Sequence, residues 1–339
     1  MILDNWKWCQ NDKIYMKATA IAPANIAFIK FWGKKDEKLR LPTNGSISMN
    51  LSNLLTTTTV EFSSQYKVDE ILINNKIDNK ENKRVGQFLD KIRQMAKSNL
   101  RAKVVTENNF LKSGGLASSA SGFAALTVAA SASIGLNLSE KELSILARIG
   151  SGSACRSIPD GFIEWVEGKD SLSSFGQSIY PADYWKIIDI VAVIQKENKK
   201  VTSSDGHKIA KTSPFFKERL KNIQNKIEKI KKYIKQKEFI NFGKLIEKEA
   251  LELHAIMLTS NPPIIYLNPK SIEIMQAVWQ WRREGLLVYF TIDAGPNIHL
   301  ICQEKDQGQV VKKLQKIKDI KYIFNFPAIG TRLVEKHLF

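Results

Sequence analysis

Apolar and polar residues alternate over 14–22 and again over 54–62, which includes the run TTTTV. A repeat of two predicts strands with one face on a core. Residues 71–77 predict a small hairpin turning at Asn74-Asn75. Residues 83–97 carry the three-and-four spacing of an amphipathic helix, and 102–106 return to strand. A loop at Gly114-Gly115 opens an Ala/Ser-rich helix. Ser139 followed by Glu142 has the form of a capping box, starting a helix that ends at Gly150. Strands are predicted over 161–166 and 187–194. Beyond residue 196 the texture changes to long helices over 214–237, 238–258 and 269–284. Strands over 286–292 and 298–303, a short helix over 309–317 and a strand over 322–326 follow. Helices between irregularly placed strands predict an α+β fold rather than a doubly wound sheet. No repeat is visible, and the domain boundary is expected near residue 196.

The length of 339 residues suits two domains. Residues 113–139 hold no charge, yet seven are Ser and most others Ala or Gly. That composition predicts a packed, buried helix rather than a membrane span. The N-terminal stretch MILDNWKWCQNDKIYMK lacks the apolar core of a signal peptide. Three cysteines, Cys9, Cys155 and Cys302, offer neither a disulfide framework nor a cysteine zinc site, so a cytoplasmic protein with no membrane partner is expected.

The net charge of +17 raises a polyanion as partner. Its distribution argues otherwise. Residues 195–250 hold 16 Lys+Arg against 7 Asp+Glu, or +9 of the total, with Ile and Leu at helical spacing between them. This reads as helices with solvated outer faces, poor in the aromatics that nucleic-acid binding requires.

Four segments carry candidate chemistry. Lys112-Ser113-Gly114-Gly115-Leu116-Ala117-Ser118-Ser119 stands at a helix start, where free N–H groups and hydroxyls suit a phosphate. The bland alternative is a Gly/Ser helix start packed on a neighbour. Gly150-Ser151-Gly152-Ser153-Ala154-Cys155-Arg156 follows a helix, and Cys155 replaces the third glycine of a dinucleotide fingerprint. It is either a structural turn or a set of hydroxyls and a guanidinium for phosphate or carboxylate. Lys30, in AFIKFWGKK, is either snorkelling or held inside for an anion. Asp293, in TIDAGPN at a strand end, is either a turn-capping carboxylate or a reactive one. His254 fits a packed core position, and His207 and His299 lack the companions of a metal site. Trp6 and Trp8 lie in an extension ahead of the first strand.

Taken together, these motifs resemble the diphosphomevalonate decarboxylases of the GHMP kinase superfamily. The matching pieces are APANIAFIKFWGKKD (22–36), LPTNGSISMNLS (41–52), NNFLKSGGLASSASGFAAL (108–126) and ARIGSGSACRSIPDGFIEW (147–165). VTSSDGHKIAKTSPFFKERL (201–220), LHAIMLTSNPPIIYLN (253–268) and YFTIDAGPN (289–297) continue them in order. The resemblance implies a two-domain GHMP kinase fold. Residues 1–196 would form an ATP-binding domain like ribosomal protein S5 domain 2, and 197–339 a ferredoxin-like C-terminal domain. It implies ATP-dependent phosphorylation of the 3-hydroxyl of mevalonate 5-diphosphate, then loss of phosphate and CO₂ to give isopentenyl diphosphate. ATP and Mg²⁺ are the implied cofactors, with no protein ligand for the metal nominated, and a homodimer is common in the family.

The resemblance also assigns roles. Asp293 would orient or deprotonate the hydroxyl, Lys30 would pair with Asp293 and steady the phosphate, and Arg156 would clamp the carboxylate. Asn25, Lys34, Ser151, Ser153 and Ser203 would bind the substrate, and Lys112, Gly114, Gly115, Ser118 and Ser119 the ATP phosphates. The sequence departs from the pattern at Phe31 (usually Tyr), Leu111-Lys112 (usually Pro-Thr), Ile158-Pro159-Asp160 and Ser204-Asp205. These departures keep open a mevalonate 5-phosphate decarboxylase or a relative that stops at 3-phosphorylation. A nucleic-acid-binding protein is the reading from a different class, and it predicts salt-sensitive binding.

Overall fold

The computed structural model describes residues 17–110, 118–194 and 201–339. Trp6, Trp8, Cys9 and the glycine loop with Lys112 lie outside them. In chain order, β1 (Lys17–Ile29) precedes a short ribbon of β2 (Lys34–Asp36) and β3 (Leu41–Pro42), then β4 (Ser46–Ser63) and β5 (Glu70–Ile73). Helix α1 (Asn79–Ala96) leads to β6 (Arg101–Asn108), and α2 (Ser118–Ser133) to α3 (Glu140–Gly150). A 3-10 turn (Gly152–Ser157), β7 (Phe162–Trp165), β8 (Gly176–Tyr180) and β9 (Ile187–Val193) come next. Helices α4 (Ser203–Ile209), α5 (Phe216–Gln236), α6 (Phe239–Leu258) and α7 (Pro269–Arg283) follow. Strands β10 (Val288–Thr291) and β11 (Ile298–Gln303), helix α8 (Gln307–Leu314), and strands β12 (Lys321–Asn325) and β13 (Arg332–Val334) lie beyond.

The strands form a seven-stranded sheet, ordered β13-β1-β4-β6-β5 with β7 and β8 extending from β4, and a four-stranded sheet, β10-β11-β9-β12. β9 precedes residue 196 yet pairs in the second sheet, and β13 returns from the far end of the chain to pair with β1. The hairpin expected over 71–77 is only half present. Asn74 and Asn75 adopt positive φ and a bridge joins Ile73 to Lys76. Asp78 then caps α1 with its side chain, and β5 pairs in parallel with β6 across that helix. The capping box at Ser139 and Glu142 is complete, with both reciprocal bonds formed.

β1 and β4 pair from Lys17–Glu61 to Ile29–Ile47, with register shifts between Pro23 and Asn25 and between Ala27 and Ile29. Pro23 has no N–H for a ladder, which suits it to an irregularity. Such shifts re-aim the residues beyond them; here these are Asn25 and Lys30. The Ala/Ser helix α2 lies across β1 and β4, its small side chains permitting close approach.

One apolar cluster spans both sheets. It holds Ile26, Phe28 and Ile47 from the first, Ile227 and Phe242 from α5 and α6, and Tyr289 and Ile301 from the second. The Phe28 and Phe242 rings meet edge-on at 4.9 Å. Each such side chain contributes roughly 1.5–3 kcal/mol through burial. Gly243 allows α6 to approach β10, since a methyl there would lie 2.0 Å from the Tyr289 ring. This packing fixes the end of β1 relative to the end of β10.

The lysine-rich helices correct one expectation. Ile223, Ile227, Ile230 and Ile234 turn inward on α5 while most lysines stay outside. Arg219 and Lys226, however, are buried and converge on Glu249 of α6.

Candidate functional site

Lys30 follows the last residue of β1 and is 1 % exposed. Its Nζ donates to Asp293 Oδ1 at 2.7 Å and to the Ala27 carbonyl at 2.7 Å. Asp293 lies two residues past β10, and a quarter of its side chain remains exposed against 2 % for Lys30. The ammonium is thus sealed in, and the carboxylate keeps an open side. Burial pushes the Asp293 carboxyl up, but the Lys30 charge and hydrogen bond outweigh it and hold the group below its ordinary value. Burial lowers the Lys30 ammonium from its usual range, against the pull of Asp293 and Glu249.

The backbone around Lys30 is clamped by buried charge. Its N–H donates to Glu249 Oε1 at 3.1 Å, and its carbonyl accepts from Arg219 Nη2 at 2.8 Å and Asn44 Nδ2 at 2.9 Å. Glu249 also takes Arg219 and, at 2.8 Å, Lys226. His254 hydrogen-bonds the Asp293 backbone, and burial lowers its pKa to about 4, so the imidazole is neutral.

Arg156 sits in the 3-10 turn after α3. Its Nε and Nη2 donate to Asn25 Oδ1 at 3.2 and 2.9 Å, and its Nη1 to Ser46 Oγ at 3.0 Å. Asn25 in turn donates to Ser157 Oγ at 2.8 Å and the Ser153 carbonyl at 3.3 Å. The guanidinium stands 5.8 Å over the Trp165 ring and acts electrostatically on both Lys30 and Asp293. Ser151 closes α3, and its Oγ lies 3.3 Å from Ser119 Oγ at the start of α2. The Ser151 turn and the Ser118-Ser119 helix start therefore adjoin.

Lys34 is buried and pairs with Glu37 at 2.7 Å, and burial lowers its pKa against that partner. Gly33 turns the chain between Lys30 and Lys34 with φ +90, and a methyl there would lie 2.7 Å from Phe216. Ser203 opens α4, which docks on this loop through His207. Lys112, Gly114 and Gly115 lie outside the described residues. The structure thus joins Lys30 with Asp293, Arg156 with Asn25, and Ser151 with Ser119. Arg219, Lys226, Glu249 and His207 were not singled out as site residues from the sequence.

This geometry can align an acceptor hydroxyl on the open side of Asp293, beside a sealed cation and a guanidinium. Among the described residues no three His, Cys, Asp or Glu side chains converge as metal ligands. The donors at the start of α2 are hydroxyls, suited to nucleotide phosphates and the hard cation that accompanies them.

Two family models cover most of the chain: the diphosphomevalonate decarboxylase-like N-terminal domain over 22–176, and the mevalonate 5-diphosphate decarboxylase C-terminal domain over 189–327. The diphosphomevalonate decarboxylase of Candida albicans is 36% identical over 317 residues, 88% of each chain. The chain belongs to the diphosphomevalonate decarboxylase family. A solved complex of MDDEF with MVAPP, AMPPCP and magnesium is 38% identical with a TM-score of 0.90, covering 95% of this chain and 99% of that one. The mevalonate diphosphate decarboxylase of Staphylococcus aureus is 36% identical, also with a TM-score of 0.90, over 94% of this chain and 98% of its own. The family's GHMP kinase fold is therefore the fold of this decarboxylase relative.

Proposed function

We propose that the chain catalyses ATP-dependent decarboxylation of mevalonate 5-diphosphate to isopentenyl diphosphate, ADP, phosphate and CO₂. The observation that carries this reading is the Lys30–Asp293 pair at 2.7 Å, joining the ends of two strands from different sheets beside Arg156.

The roles follow from the geometry. Asp293 accepts a hydrogen bond from the 3-hydroxyl and aims its oxygen at the γ-phosphorus of ATP. A carboxylate held below its usual range by Lys30 is a weak base. Phosphoryl transfer is loose and needs little activation of the nucleophile, so orientation is the larger part of the Asp293 contribution. Lys30 stabilises charge on the phosphoryl oxygens during transfer and again as phosphate departs. Decarboxylation then breaks the bond between C2 and the carboxylate. Its electron pair forms the double bond, and the C3–O bond breaks to release phosphate. Arg156, held in place by Asn25 and Ser46, positions the carboxylate until the charge leaves as CO₂.

Lys34, Ser151, Ser153 and Ser203 hold the substrate phosphates, and Ser118 and Ser119, with Lys112, Gly114 and Gly115, hold those of ATP. The hydroxyls of Ser118 and Ser119 would help to hold Mg²⁺ bound together with ATP, and the cation would neutralise phosphate charge there. We further propose a homodimer in a reducing, cytoplasmic setting. Cys155 and Cys302, both free, support the compartment. No helix among the described residues is long and apolar enough to cross a membrane.

The test is product stoichiometry. Mevalonate 5-diphosphate with ATP and Mg²⁺ is expected to give ADP, phosphate and CO₂ in equal amounts. Mevalonate 5-phosphate is the comparison substrate. Accumulation of a stable 3-phosphorylated product without CO₂ would overturn the decarboxylase in favour of a kinase.

A further inference from the structure

His207 lies on α4, and its ring is sandwiched between Phe31 and Trp32, with centroids 4.3 Å from each. Its Nδ1 accepts the Gly33 N–H at 2.9 Å. An imidazole whose Nδ1 accepts carries its proton on Nε2 when neutral. That Nε2–H meets no acceptor among the described residues, and although the residue is only 9 % exposed the atom is not enclosed by protein. A donor held in a nearly buried ring with its N–H left open is placed to meet an acceptor that a ligand brings.

The surroundings specify the ligand's charge. Burial first, then Lys34, Arg40 and Arg156, holds His207 well below its ordinary pKa, so the group is a neutral donor among three cations. Through its bond to Gly33, the residue before Lys34, His207 stands at the Lys34 end of the loop that runs from Lys30 to Lys34. Phe31 beside it carries no hydroxyl, and its ring packs on Trp165 at 4.5 Å and closely approaches Gly152. A cation in place of the imidazole would add repulsion toward Lys34 and Arg40, whereas a neutral N–H adds a donor without it.

We infer that His207 donates through Nε2–H to the phosphoryl end of the substrate, and that it sets the preference for a diphosphate over a monophosphate. This rests on the decarboxylase reading, because that reading supplies a substrate with its phosphates remote from the reacting hydroxyl. His207 does not touch the reacting atoms, so it governs affinity rather than the chemical step.

Two substitutions separate this role from a packing role. In His207→Asn, the amide oxygen stands near Nδ1 and keeps the Gly33 bond, while the distal donor is lost. In His207→Gln, the amide nitrogen stands near Nε2. His207→Asn is expected to raise KM for mevalonate 5-diphosphate about tenfold to a hundredfold. The value of kcat and the KM for ATP should stay within about twofold. The preference for diphosphate over monophosphate should narrow, and His207→Gln should restore most of the lost affinity. Titration calorimetry with inorganic pyrophosphate should show the same order of affinities without any turnover. Unchanged pyrophosphate and substrate affinity in His207→Asn overturns the inference, as does equal damage in both variants. An inactive wild-type enzyme that still loses pyrophosphate affinity in His207→Asn would instead overturn the functional reading and leave the anion site standing.

Discussion

Glu249→Gln is the substitution that tests how the Lys30 backbone is held. Glu249 is fully buried and accepts from the Lys30 N–H, Arg219 and Lys226. A glutamine has nearly the same shape but no charge. It leaves two buried cations facing one amide oxygen, and it offers an N–H where an acceptor is required. Removing one partner of a buried ion pair costs about 3–5 kcal/mol. For a domain of 150–250 residues each kcal/mol shifts Tm by about 2–4 °C, so a drop of roughly 6–20 °C is expected. The substitution also acts on chemistry. Glu249 helps keep Lys30 protonated, and its bond to the Lys30 N–H fixes where the side chain starts. A fall in kcat at temperatures well below the new Tm is therefore expected, with little change in KM for ATP. Calorimetry and steady-state turnover at 20 °C read the two effects separately. A variant with wild-type Tm and wild-type kcat would refute the clamp, and lower Tm with full kcat would reduce it to a stability element.

Two further outcomes follow from the site. Lys30 is lowered from its ordinary value by burial, so it loses its proton at lower pH than a free lysine. The alkaline limb of kcat/KM is expected below pH 10.5, and Asp293, held below 3.8, sets no acid limb near neutrality. A rate still rising at pH 10.5 would contradict the assignment. Arg156→Lys keeps a charge but cannot bind Asn25 through two nitrogens while holding Ser46. A loss of about tenfold or more in kcat/KM for the mevalonate substrate is expected, with ATP affinity retained, as measured by initial rates and nucleotide titration.

Much of the site was legible because each piece is local. Lys30, Arg156 and Asp293 each stand in a contiguous motif, and the resemblance links them. Their distances were not legible, because Lys30 and Asp293 are 263 residues apart and only the packing of β1, α6 and β10 brings them together. The helices after residue 201 followed from periodicity. In the early part of β4, SISMNLSN alternates polar and apolar residues as a half-solvated strand would, yet Ser46, Ser48 and Asn50 on its polar face are fully buried too. Arg156 donates to Ser46, and Asn50 donates to the Pro159 carbonyl at 2.7 Å. Alternation therefore marks the strand but not that both of its faces are covered. The buried cluster was hidden differently. Arg219 and Lys226 are two cations among many on α5, and only Glu249 on the next helix distinguishes them.

The most direct test of the account is Asp293→Asn. The amide keeps the shape but removes the charge that pairs with Lys30 at 2.7 Å. With mevalonate 5-diphosphate, ATP and Mg²⁺, single-turnover release of ADP and CO₂ should slow by about 10²–10⁴-fold. ATP and substrate should still bind within a few-fold of wild type. Turnover close to wild type would contradict the assignment of phosphoryl transfer to the Lys30–Asp293 pair.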